Sequence, residues 1–227
     1  MLDPHPDLTK AVITGLGWLY LILFVMNAFW TWRSYHKDGA VRLPRYFGGT
    51  EAPVAAFWAI YAALLLMLSI AHFTNTSDPE HFLVRLPLGF KNAVDRFIAN
   101  PSVYFAVSVA VFVAVLTGRR WFAKPTSGWI VLNAALLFLA ISMTDWDFRQ
   151  IVGKPDNVPI VGMLFLVGYF TWLYLHRAVE NDDRVAAGRP VREAEHNEKV
   201  LVWPDLVYTE LICMIAISAV LIFWGIA

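Results

Sequence analysis

After Trp203-Pro204-Asp205 the chain runs for about 22 residues, to Ala227, with almost nothing but apolar side chains. A helix needs about 20 such residues to cross the hydrocarbon of a bilayer. Five more apolar segments precede it, at about 11–32, 53–73, 102–118, 127–144 and 158–176. Hydrophobic residues make up 58% of the 227 and charged ones only 16%, whereas a soluble domain is about half apolar and a quarter charged. With no water in the bilayer core, each segment closes its backbone hydrogen bonds within itself, so each is a helix rather than an open strand. The expected fold class is all-α: one polytopic membrane domain over 1–227, with six transmembrane helices.

The last segment has a marked start. Pro204 suits the first helical position, where its missing N–H is no loss, and Asp205 sits at the positive end of the helix dipole. Trp203 fits the headgroup level. At the other end of the chain, Met1 to Lys10 is acidic and proline-rich, unlike the basic opening of a secretory signal, so the first helix is expected to be retained.

Lysine and arginine orient the segments. Arg33, Lys37, Arg42, Arg45, Arg119, Arg120, Lys124, Arg177, Arg184, Arg189, Arg192 and Lys199 fall in odd-numbered loops, twelve in all, against six on the other side: Lys10, Arg85, Lys91, Arg96, Arg149 and Lys154. The positive-inside rule then puts the odd loops in the cytoplasm and both termini outside it. The third and fourth segments flank the tight connector 118–128 and read as a helical hairpin. In the long second loop, Phe90, Val94, Phe97 and Ile98 recur at helical spacing, with Lys91, Asp95 and Arg96 elsewhere. Two readings fit: a short amphipathic helix on the outer membrane surface, or a loop packed on a partner. Residues 180–199 read as a solvated charged linker broken at Gly188 and Pro190.

Function classes narrow quickly. Zero net charge gives no footing for nucleic acid. The single cysteine, Cys213, excludes a disulfide framework and a C-x-x-C-H haem attachment. None of the phosphate-binding, dinucleotide-binding, zinc-protease or triad signatures occurs, so the chain has no enzyme motif of its own. The histidines are His5, His36, His72, His81, His176 and His196, and none lies mid-span. His36 and His176 share the inner boundary and are the weak candidates for a haem between helices one and five; the alternative is interfacial histidine beside Arg and Lys. No helix carries two histidines at a spacing that stacks two haems.

Glu210 is the one ionisable residue inside an apolar segment, about one and a half turns into the last helix, and such residues are functional hypotheses by default. It could relay protons to a quinone near the inner surface. Alternatively it is a helix-start carboxylate favoured by the dipole, or pairs with a partner's Arg. Asn27 and Asn133 are lone mid-span amides, which helix–helix hydrogen bonding explains. Asp145 and Asp147, at the outer end of the fourth segment, could draw a basic partner such as a cytochrome c domain, or cap the segment and pair with Arg149.

The run Trp203-Pro204-Asp205-Leu206-Val207-Tyr208 followed by an apolar helix resembles the start of the C-terminal cytochrome b domain, subunit IV of cytochrome b-f complexes. The stretch from Asp156-Asn157-Val158-Pro159-Ile160 through Phe170-Thr171-Trp172 to Trp203 is similar to membrane subunits of bacterial menaquinol–cytochrome c reductases. The resemblance covers roughly the part from residue 151 onward; helices one to four, over 1–150, match no family. It implies a non-haem, multi-pass subunit in a bacterial inner (cytoplasmic) membrane, working in a respiratory electron-transport chain. Its partners would be cytochrome b, iron–sulfur and cytochrome c subunits, with membrane lipids around it. The haems would sit on those partners, no cofactor would be bound by this chain alone, and a quinone would sit at a subunit interface. The chain departs from the family in having no P-E-W-Y motif and in ending at Ala227, before the outer loop of the quinol-oxidation site. That loop is therefore expected from another chain. Two other readings stand: a structural or assembly subunit of a different respiratory or photosynthetic complex, and a quinone-reactive anchor of a peripheral oxidoreductase.

Overall fold

The structure is a computed structural model that describes residues 8–42, 51–74, 85–195 and 202–226. His5, His81, His196, Arg45 and Lys199 lie outside the described residues. Helices appear where the apolar runs predict them: α1 Lys10–Lys37, α2 Val54–Thr74, α4 Pro101–Thr117, α6 Pro125–Ser142, α8 Val158–Ala186 and α10 Val207–Ile226. Short helices join them: α3 Leu88–Ala93, α5 Arg119–Phe122, α7 Trp146–Val152 and α9 Arg192–Glu195. Five helices are long and apolar enough to span a membrane, and a sixth span counts if α4 is joined to the bent segment before it. This is a helical membrane protein.

Sequence chemistry sets the helix ends. Thr9 caps α1 by accepting the Val12 N–H, and Asn100 caps α4 by accepting the Ser102 N–H at 3.0 Å, with Pro101 in the first turn. Gly188 ends the α8 turn at φ +69°, a left-handed conformation that glycine adopts at no steric cost.

Three features differ from expectation. Residues 40–42 and 51–53 pair as two short antiparallel strands, β1 and β2, between the first two spans. Helix α8 does not stop near residue 176 but runs to Ala186, because the charged stretch after His176 has good helix formers up to the Gly188–Pro190 break. The connector 118–128 is built on the single turn α5, yet α4 buries no residue, so the expected hairpin is not closely packed. The last helix opens where expected: Trp203 is extended (φ −117°, ψ 132°), helical backbone begins after it at Pro204, and the regular α10 follows from Val207.

The chain divides into two compact units, residues 1–176 and 177–227. In the first, α1 and α2 pack along their length. Leu16, Tyr20 and Leu23 of α1 meet Leu65 of α2 and Ala140 of α6 in the main core cluster. The Ser69 hydroxyl donates to the Gly17 carbonyl at 2.9 Å. Gly17 lets the Phe73 ring come close, since a Cβ would stand 3.0 Å from it.

Candidate functional site

A buried polar seam joins three helices of the first unit. Asn27 and Asn133 are 0% and 4% exposed. Asn27 Nδ2 donates to Asn133 Oδ1 at 2.6 Å and to the Leu23 carbonyl at 2.8 Å. Trp129 Nε1 donates to Asn27 Oδ1 at 3.0 Å, and the Tyr61 hydroxyl donates to Asn133 Oδ1 at 3.3 Å. Asn133 Nδ2 donates to the Trp129 carbonyl at 2.9 Å. The two lone amides thus find each other, as expected, and recruit Trp129 and Tyr61, which sequence reasoning missed. Such bonds fix the rotation of helices that lack a hydrophobic driving force between them. Toward the other end of α1, Trp30 stacks on Trp129 (centroids 4.5 Å apart, planes 7° apart), and the Arg33 guanidinium lies 4.2 Å over the Trp30 ring.

At the opposite end of the same helices an apolar cleft of about 370 Å³ opens. Val12, Gly15, Leu16 and Leu19 of α1 form one wall, and Leu139 and Met143 near the end of α6 form another. Val152 and Gly153 at the end of α7, with Val158 and Val161 of α8, complete it. Glycine supplies the depth, since a Cβ on Gly15 would meet nothing within 4 Å. No single segment signals this cleft, because four elements contribute to it.

Asp145 and Asp147 neither stand free for a basic partner nor rest on Arg149 alone. Asp145 Oδ1 caps α7 by accepting the Phe148 N–H at 3.0 Å. Lys91 of α3 reaches both carboxylates, at 2.8 Å each. The Leu86 N–H donates to Thr144 Oγ1 at 2.9 Å, and Phe90 lies edge-on to Phe138. The segment Leu88–Ile98 is therefore helical and is held on the end of α6 and α7. It meets α4 at 92°.

The two candidate histidines have different partners. His36 is exposed, its Nδ1–H donates to the Trp32 carbonyl at 2.8 Å, and its ring touches Trp32 and Tyr35. His176 is half-buried, donates from Nδ1 to the Ala123 carbonyl at 2.9 Å and stacks on Trp172. His72 is buried, bonded to the Leu68 carbonyl and packed on Tyr20. No group of three His, Cys, Asp or Glu able to hold a metal ion occurs among the described residues. Glu210 lies in the first turn of the regular α10, which continues the helical backbone that begins at Pro204. That position favours a carboxylate at the positive end of the dipole. Its side chain is exposed, like Cys213 one turn on.

In the second unit, the polar end of α8 folds back on α9. Arg192 Nη1 donates to Glu180 at 2.8 and 3.0 Å, Asn181 Nδ2 donates to Glu193 at 2.8 Å, and Arg184 pairs with Glu195. Desolvation works against the Glu180 charge, but the hydrogen bonds and charges of Arg192 and Arg177 outweigh it and hold the carboxyl below its ordinary value. The Glu193 carboxyl is lowered too, by the N–H of its own backbone and then by Asn181.

No protein-family model, no curated protein and no solved structure matches the chain.

Proposed function

We propose that the chain is a non-haem membrane subunit of a cytochrome bc-type quinol–cytochrome c oxidoreductase, in a bacterial inner membrane with both termini outside the cytoplasm. Its work is to pack against cytochrome b through α10 and to wall a lipid or quinone pocket. The observation that carries the reading is α10 itself. It is an apolar helix with no buried residue among those described, it follows the Trp203-Pro204-Asp205 lead-in, and it bears an exposed carboxylate at Glu210. A helix of this kind is covered by lipid or by another protein, and the resemblance of its lead-in to subunit IV favours cytochrome b. The carboxylate gives such a partner a polar group to meet, at the helix end where burying it is least costly. The seam and the core of the first unit supply a rigid frame, and the apolar cleft supplies room for a hydrocarbon chain.

The test is affinity isolation of the tagged chain from its native membranes in mild detergent. Cytochrome b and its b-type haem absorption should come with it, and Glu210→Gln should leave that association nearly intact if Glu210 only packs. Recovery with subunits of a different complex would favour the assembly-subunit reading. A bis-histidine haem spectrum in the isolated chain, lost in His36→Ala or His176→Ala, would favour the quinone-reactive anchor.

A further inference from the structure

We infer that the cleft between α1, α6, α7 and α8 is a binding site for one acyl chain of an anionic phospholipid. The inference rests on the chain spanning a bilayer as proposed above, and not on cytochrome b being its partner. Every side chain given to the cleft is valine, leucine, methionine or glycine. A quinone ring needs hydrogen-bond donors at its carbonyls, because binding sites orient polar ligands with a few placed polar groups. These walls offer no such side chain, so they suit the hydrocarbon part of a ligand. A methylene is about as large as a water, whose share of liquid volume is roughly 30 Å³. The cleft's 370 Å³ therefore takes about a dozen carbons, most of one acyl chain.

The headgroup preference follows from the charges that adjoin the lining residues along the chain. Lys154 directly follows the lining Gly153, and Lys10 opens α1 two residues before the lining Val12. Both are exposed, and neither has an ion-pair partner among the described residues. Asp156 is the exposed counter-charge on the same loop. Lys91 is committed to Asp145 and Asp147, and Arg149 reaches back to the Met143 carbonyl. An acyl chain seated between the helix ends puts its phosphate at the level of the two lysines, whose stems can lie along apolar surface while their ammonium groups reach the headgroup.

The test uses the full chain in nanodiscs holding equal amounts of phosphatidylglycerol and phosphatidylcholine with the same acyl chains. After extraction into mild detergent, native mass spectrometry counts the lipids that stay bound. About one phosphatidylglycerol should persist per chain, with a preference of about fivefold for each lysine. Lys10→Gln with Lys154→Gln should abolish the preference without emptying the cleft. Gly15→Phe, placed where a Cβ meets nothing, should remove the retained lipid while far-UV circular dichroism stays unchanged. Val161→Trp fills the same cleft from the α8 side and serves if Gly15→Phe loses helicity. Equal retention of the two lipids, full retention in the filled variants, or displacement of the lipid by added menaquinone would each overturn the assignment. Failure to isolate cytochrome b with the chain would leave this result unaffected, so the two proposals fail separately.

Discussion

Replacing Asn27 by leucine removes two interhelical hydrogen bonds, the 2.6 Å bond to Asn133 and the 3.0 Å bond from Trp129. Interhelical bonds in membrane proteins average about 0.6 kcal/mol and reach about 1.7 kcal/mol, so the pair is worth roughly 1–3 kcal/mol. The substitution also leaves the Trp129 N–H without its acceptor in a partly buried setting, which adds on the order of 1 kcal/mol. Asn27→Leu should then destabilise by roughly 2–4 kcal/mol in total. Asn133→Leu leaves the Trp129–Asn27 bond standing but also removes two interhelical bonds, from Asn27 and from the Tyr61 hydroxyl, and should cost a similar amount. The double variant should show a coupling of about 1 kcal/mol, since the Asn27–Asn133 bond can be lost only once. Reversible unfolding by dodecyl sulfate titration in mixed micelles, followed by circular dichroism, measures all four corners of the cycle. If the two single effects add to within about 0.3 kcal/mol, the amides do not bond to each other and the seam is misread.

Three further outcomes follow from the packing. A Cβ on Gly128 would stand 2.6 Å from Trp172 Nε1, so Gly128→Ala should destabilise by roughly 1–3 kcal/mol in the same titration, and no loss would mean that α6 and α8 do not meet there. Lys91→Met removes an ion-pair partner of the Asp145 carboxylate, only 8% exposed, whereas Asp147→Asn removes a partner that is 71% exposed. Hydrogen exchange around Phe90 should therefore speed up more in Lys91→Met, and equal rates in the two variants would contradict the clamp. Glu180 and Glu193 have lowered folded values, so the turn between α8 and α9 gains stability above the ordinary glutamate value of 4.5 and loses it as pH falls through the lower folded values. The Arg192 amide, bonded to Asn181 Oδ1, should report this in an NMR titration with a midpoint below 4.5, and a midpoint at or above it would refute the pairing.

The apolar membrane-spanning helices were legible because hydrocarbon demands long apolar runs, and little else in a sequence produces them. Asn27 and Asn133 were legible for the same reason, since an amide mid-span has few uses except another amide. Their companions were not. Tyr61 and Trp129 are ordinary aromatics in apolar helices, and only the interhelical register, which no single segment encodes, brings their polar tips to the seam. Asp145 and Asp147 announced a cap, and Asp145 is one. Their pairing with Lys91 was not legible, because that cation lies more than fifty residues upstream. The cleft could not be read because its walls come from the ends of four elements. The start of the last helix was legible too, since Pro204 follows the extended Trp203 as a first helical residue does, with Glu210 a short way inside.

The central proposal is that α10 faces a helix of cytochrome b. Met214 lies one turn beyond Glu210 and is 60% exposed, so a photocrosslinking amino acid placed there samples whatever covers that face. Irradiation of intact native membranes, followed by mass spectrometry of the adducts, should identify a transmembrane segment of cytochrome b. Adducts to lipid alone, or to a protein of another complex, would contradict it.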